Sequence, residues 1–195
     1  MKAKYSLFLV IVILLTIFSN VKAQASTEKE NARVFVQKFY DWYNHIYETD
    51  DPESVNYKSP ALIAIEQRSQ YFDVGLLDAL REFFRPVPKG AEGVMGLDYD
   101  PYLATPQDGG FDYQTGKVRQ VGNVLFVDIH SAIMGKPREK ILKGEIVVIA
   151  EVKNVNGAWK LANFIYPVKN NNPSNLLDML KSYKKEIEKH KTIKP

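Results

Sequence analysis

Residues 141–166, ILKGEIVVIAEVKNVNGAWKLANFIY, decide the fold class. β-Branched and aromatic side chains crowd both halves of this stretch, and Asn156-Gly157 divides them. A two-residue turn that matches the twist of its flanking strands needs positive φ at both central positions, which Asn-Gly tolerates best. The stretch therefore reads as a hairpin, with strands over 141–155 and 158–166. Working back along the chain, 118–121 and 124–133 have the same composition and are separated by Gly122-Asn123, while Gly135-Lys136-Pro137 punctuates the chain before Ile141. Strands joined by short turns predict an antiparallel meander.

Upstream the apolar period changes. Phe35, Phe39, Trp42, Tyr43 and Ile46 recur at helical spacing, which predicts a helix over 27–47 ending at Asp50-Asp51-Pro52. Ser59-Pro60 offers an N-cap and a first-turn proline to a second helix that turns Leu62, Ile65 and Tyr71 inward. A third short helix over 74–84 stops before Pro86 and Pro88. Downstream, Leu176, Leu180, Tyr183 and Ile187 form one face of a C-terminal amphipathic helix over about 174–190, ringed by Lys181, Lys184, Lys185 and Lys189. Helices followed by a meander predict an α+β domain, with the N-terminal helices packed on one face of a curved antiparallel sheet.

The first 23 residues read differently. Lys2 and Lys4 precede an apolar run from Leu7 to Leu15, extended through Ile17 and Phe18, and Val21-Lys22-Ala23-Gln24-Ala25 supplies small residues for cleavage. That layout is a secretory signal peptide, too short at about a dozen apolar residues for the roughly 20 that span a bilayer. The chain holds 26 basic and 23 acidic residues, and cleavage after Ala23 removes three lysines and no acid, so the charges then balance. The expected product is a periplasmic or secreted protein comprising 24–195 as one domain, with no stable membrane insertion after processing and no nucleic-acid partner, since the excess basicity lies in the leader. There is no cysteine, so the core alone holds the fold. His45, His130 and His190 lie far apart in sequence, so neither a metal site nor a cofactor is expected.

Three short stretches carry a resemblance: Phe35-Val36-Gln37-Lys38-Phe39-Tyr40-Asp41-Trp42-Tyr43, Leu97-Asp98-Tyr99-Asp100-Pro101-Tyr102-Leu103, and Gln107-Asp108. Together they resemble the signature of the bacterial exported domain of unknown function 3828, over about 32–166. That resemblance implies a nuclear-transport-factor-2-like cone, in which sheet and helices enclose a pocket. Such scaffolds serve both small enzymes and non-catalytic binding proteins.

The candidate residues follow from these readings. Tyr40 and Tyr43 have phenol tips that suit a pocket wall, against the simpler reading of a core stripe. The long Gly- and Pro-rich segment 89–110 carries Asp98, Tyr99, Asp100, Tyr102, Gln107 and Asp108. These could form a recognition element with aromatic anchors and directional polar groups, or plug the fold while the acids cap turns. Asp128 and His130 are two apart on a strand and share a face, the minimum for a proton-transferring dyad. The expected function is an exported binding protein that recognises a small ligand or an envelope protein through the cone mouth and the 89–110 loop, in the manner of an immunity or inhibitor protein. The alternative is a small pocket enzyme of the lyase, isomerase or hydrolase kind, using Asp128 and His130 or the loop acids.

Overall fold

Asn156 and Gly157 both take positive φ, 52° and 84°, and close the hairpin between the strands Ile146–Val155 and Ala158–Tyr166, with Val155 opposite Ala158. The Asn154 side chain braces the turn by accepting from the Gly157 N–H at 2.9 Å. The structure, a computed structural model, describes residues 24–46, 58–87, 96, 97, 99–104, 111–167 and 174–193. The expected signal peptide, Tyr47, Asp98, Gln107, Asp108 and most of the 89–110 segment lie outside the described residues.

Helix α1 covers 24–46, α2 Pro60–Gln67 and α3 Val74–Phe83, with a 3-10 turn at Ser69–Tyr71 between the last two. Then come β1 (Phe111–Val121), β2 (Val124–Ile133), a helical turn α4 (Arg138–Ile141), β3 (Ile146–Val155), β4 (Ala158–Tyr166), β5 (Ser174–Asn175) and α5 (Leu176–Ile193). The strands form one antiparallel sheet in sequence order, β1-β2-β3-β4-β5. Ser59 caps α2 as its sequence predicts, its hydroxyl accepting from the Leu62 N–H at 3.4 Å with Pro60 in the first turn.

Three boundaries differ from the sequence reading. The third strand begins at Ile146 and not at Ile141, because Pro137 enters at φ −58° and sets up the α4 turn, which buries Ile141. β1 begins at Phe111, seven residues before Val118; its interior holds Asp112, Gln114 and Gly116, which lower strand propensity. At the C-terminal end Ser174-Asn175 pairs with Ile165 and Tyr166 as a strand, and Asn175 then accepts from the Asp178 N–H at 3.0 Å, so α5 starts two residues late.

Strand alternation sorts the two sheet faces. Leu125, Val127 and Ile129 of β2 and Val148, Ala150 and Val152 of β3 are buried against the helices. From α1 the buried set is Ala32, Val36, Phe39, Tyr40, Tyr43 and Ile46. That face is rotated from the expected one, leaving Phe35 and Trp42 half-buried at its border. The Arg68 guanidinium covers the Trp42 ring at 5.0 Å.

Both long edges of the sheet are closed without a full strand. Along β1, the Gln37 side chain of α1 acts as a neighbouring peptide would: Oε1 accepts from the Thr115 N–H at 2.8 Å, and Nε2 donates to the Tyr113 carbonyl at 3.0 Å. Asn44 donates to the Phe111 carbonyl at 3.3 Å. Along β4, Phe72 bridges Leu161 and the Asp73 N–H donates to the Leu161 carbonyl at 2.7 Å, while β5 covers the far end. Between them Asn163 Oδ1 accepts from the Leu177 N–H at 3.1 Å.

Candidate functional site

The described part of the 89–110 segment turns inward. Asp100 is fully buried, with Oδ2 accepting from the Tyr43 hydroxyl at 2.5 Å and Oδ1 accepting from the Tyr102 and Leu103 N–H groups at 2.8 and 3.0 Å. A carboxylate that collects two successive backbone donors is a turn cap. The Tyr102 ring stands edge-on to Phe39 and Tyr43, 5.5 and 5.1 Å between centroids, and tilts against Phe164 at 5.1 Å. Tyr40 donates to the Tyr102 carbonyl at 2.7 Å and Tyr166 to the Pro101 carbonyl at 2.6 Å. Tyr99, half-buried, donates to the Met179 sulfur at 3.1 Å and packs edge-on against Tyr166. Burial, reinforced by neighbouring phenols and the Asp100 carboxylate, raises the Tyr40, Tyr102 and Tyr166 hydroxyls well above the ordinary phenol range. They remain protonated, as donation to a carbonyl requires.

The space between sheet and helices is therefore occupied by the chain's own residues. Tyr40, Tyr43, Asp100 and Tyr102, expected as ligand contacts, expose 1% of their surface or less. That corrects their expected placement: a carboxylate and phenols well suited to a ligand instead satisfy each other and the 101–103 backbone, because a buried polar group left without a partner is costly.

Asp128 and His130 sit on the opposite face of β2, beside an open depression of about 430 Å³ at the β1 edge. Its lining comes from five elements: Arg33 of α1, Thr115, Gly116 and Lys117 of β1, Asp128 and His130 of β2, Arg138 of α4 with Leu142 just after it, and Ile146 of β3. A bulge makes it. The β1–β2 register jumps between Thr115, opposite Ile129, and Val118, opposite Val127, so Gly116 and Lys117 together face Asp128. At Gly116 a Cβ would lie 2.6 Å from His130 Nε2 and 2.9 Å from Cδ2, so a side chain there would have to displace the imidazole.

The two residues of the expected dyad are not joined. Asp128, 4% exposed, has its carboxylate engaged by Arg119 at 2.7 Å, whereas His130 Nδ1 lies 2.9 Å from the Gly144 carbonyl. A carbonyl can only accept, so Nδ1 carries a proton and donates it to Gly144. Arg33 holds Glu30 through Nε and Nη2 at 2.8 and 2.5 Å and reaches the Thr115 hydroxyl at 3.4 Å through Nη1. That pairing holds the Glu30 carboxyl below its usual range.

Arg33, Thr115, Gly116, Lys117 and Arg138 escaped the sequence reading. One signal was present, the isolated Gly116 between residues of strand composition, which marks a bulge. A second concavity, about 570 Å³, runs between α3 and α5 over Phe83, Leu180, Tyr183 and Ile187, with charged residues on both rims. Among the described residues no group of three or more His, Cys, Asp or Glu side chains could hold a metal ion, and no helix is long and apolar enough to cross a membrane. The chain matches no protein-family model, no curated protein and no solved structure.

Proposed function

We propose that this protein is an exported, non-catalytic binding protein built on a cone of the nuclear-transport-factor-2-like kind, and that it meets a small ligand or an envelope protein in the open depression at the β1 bulge. One observation carries the reading: the interior that would serve as a pocket is filled by Asp100–Leu103, while the outer depression gathers cationic and imidazole groups from separate elements at an accessible surface. Recognition needs only such a rimmed surface. Catalysis needs ionisable groups converging within hydrogen-bond reach of a reacting atom, and here Asp128 is engaged by Arg119 and His130 by a backbone carbonyl. Export rests on the layout of the first 23 residues.

The test is a ligand screen by thermal shift on the purified protein, with product analysis on every hit. The expected hit stabilises the fold, is recovered unchanged, and loses its effect in His130→Ala. Conversion of a hit that disappears in a folded Asp128→Asn variant would overturn the reading in favour of a pocket enzyme.

A further inference from the structure

We infer that the depression at the β1 bulge takes a phosphate-type dianion, free or as a monoester; this assigns a ligand class to the site proposed above and rests on that reading. The charge balance points to it. Four cations surround the bulge, Arg33, Lys117, Arg119 and Arg138, against two acids, Glu30 and Asp128. Both acids are already matched, Glu30 by Arg33 and Asp128 by Arg119, at 2.5 and 2.7 Å. Lys117 and Arg138 are exposed and make no ion pair with a described residue; Arg138 touches Glu30 only through its field, the weakest influence on that carboxyl. Glu139 lies within α4, next to Arg138 in sequence, and Glu145 follows that turn, but neither lines the depression.

Among the described residues, two positive charges are thus left without an ion pair at the rim of one concavity. A dianion neutralises both, whereas a monocarboxylate leaves one. The donor chemistry also suits such a ligand: a guanidinium offers paired N–H groups to two oxygens of a tetrahedral anion, and an ammonium adds a point charge from a different element. The Thr115 hydroxyl is not among them, since it donates to Gln37 Oε1 at 2.9 Å. Leu142 and Ile146 add an apolar wall, and about 430 Å³ leaves room for the organic part of an ester.

Isothermal titration of the purified protein with inorganic phosphate, phenyl phosphate and acetate tests this. Phosphate and phenyl phosphate should bind, phenyl phosphate more tightly through the apolar wall, with acetate at least about tenfold weaker. Lys117→Ala and Arg138→Ala should each weaken phosphate binding by about tenfold, the loss of one charge-assisted contact. Lys117→Arg should retain it, and unfolding midpoints should not move because both side chains are exposed. Absence of binding at millimolar phosphate, or binding indifferent to both alanine substitutions, would overturn the assignment. Two outcomes separate it from the reading it rests on. Capture of an uncharged ligand in the same depression overturns the anion class and leaves the binding role standing. Hydrolysis of phenyl phosphate that is lost in Asp128→Asn upholds the anion site and overturns the non-catalytic role.

Discussion

Replacing Asp100 by alanine removes the acceptor for three donors on buried residues: the Tyr43 hydroxyl and the N–H groups of Tyr102 and Leu103. Each buried donor left unsatisfied costs about 1–3 kcal/mol, and the three share one site, so their costs do not simply add. We expect a loss of about 4 kcal/mol, a large share of the roughly 5–15 kcal/mol that holds a domain of this size together. Asp100→Asn should lose less, about 1–2 kcal/mol, because its carbonyl oxygen can still serve the two backbone donors while its amide confronts the Tyr43 hydroxyl. Urea unfolding followed by the fluorescence of Trp42 and Trp159 reads both. A loss below about 1 kcal/mol in Asp100→Ala would show that the 100–103 turn does not need its cap, and the argument that this segment is a structural plug would fail. Any binding defect in Asp100→Ala should parallel the population unfolded.

Gln37→Ala should destabilise the fold by about 2–3 kcal/mol, since it frees the Thr115 N–H and hydroxyl and the Tyr113 carbonyl; urea unfolding checks it, with Gln37→Glu expected to fail to rescue because a carboxylate cannot donate to that carbonyl. Gly116→Ala should cost about 1–3 kcal/mol by driving the His130 ring off its Gly144 hydrogen bond, and the cost should shrink in a His130→Ala background, a coupling that a double-mutant cycle measures. Tyr40, Tyr102 and Tyr166 hold their protons in the fold while the unfolded chain releases them near pH 10, so stability is intact below that pH and falls above it. For three phenols the slope approaches roughly 4 kcal/mol per pH unit, visible as falling urea midpoints together with the appearance of tyrosinate absorbance.

Local chemistry was the part of this fold legible in the sequence. Asn156-Gly157 and Ser59-Pro60 each act within a few residues, and both behave as written. On α1 the aromatic spacing points to Phe35 and Trp42, whereas close packing against the sheet selects the smaller Ala32 and Val36. In β1 an isolated Gly116 has the composition of a strand end, and only its bulge partner across the sheet, Asp128, carries the strand on to Phe111. For Asp100 the residue type was informative but its direction was not: the same carboxylate serves a ligand or a turn, and only burial separates the two. The depression was the least legible feature, since Arg33, Lys117 and Arg138 come from three elements and no spacing rule joins them.

The Gln37 latch has a consequence for the order of assembly. Its contacts to Tyr113 and Thr115 span 76 and 78 residues, so they close only after the β1–β2 hairpin, a local product, has had time to form. In that interval the outer side of β1 is an open template for a strand from any other molecule. The competitor of α1 docking is then a second chain, and yield on refolding becomes a contest between an intramolecular rate fixed by chain length and a bimolecular rate that rises with concentration.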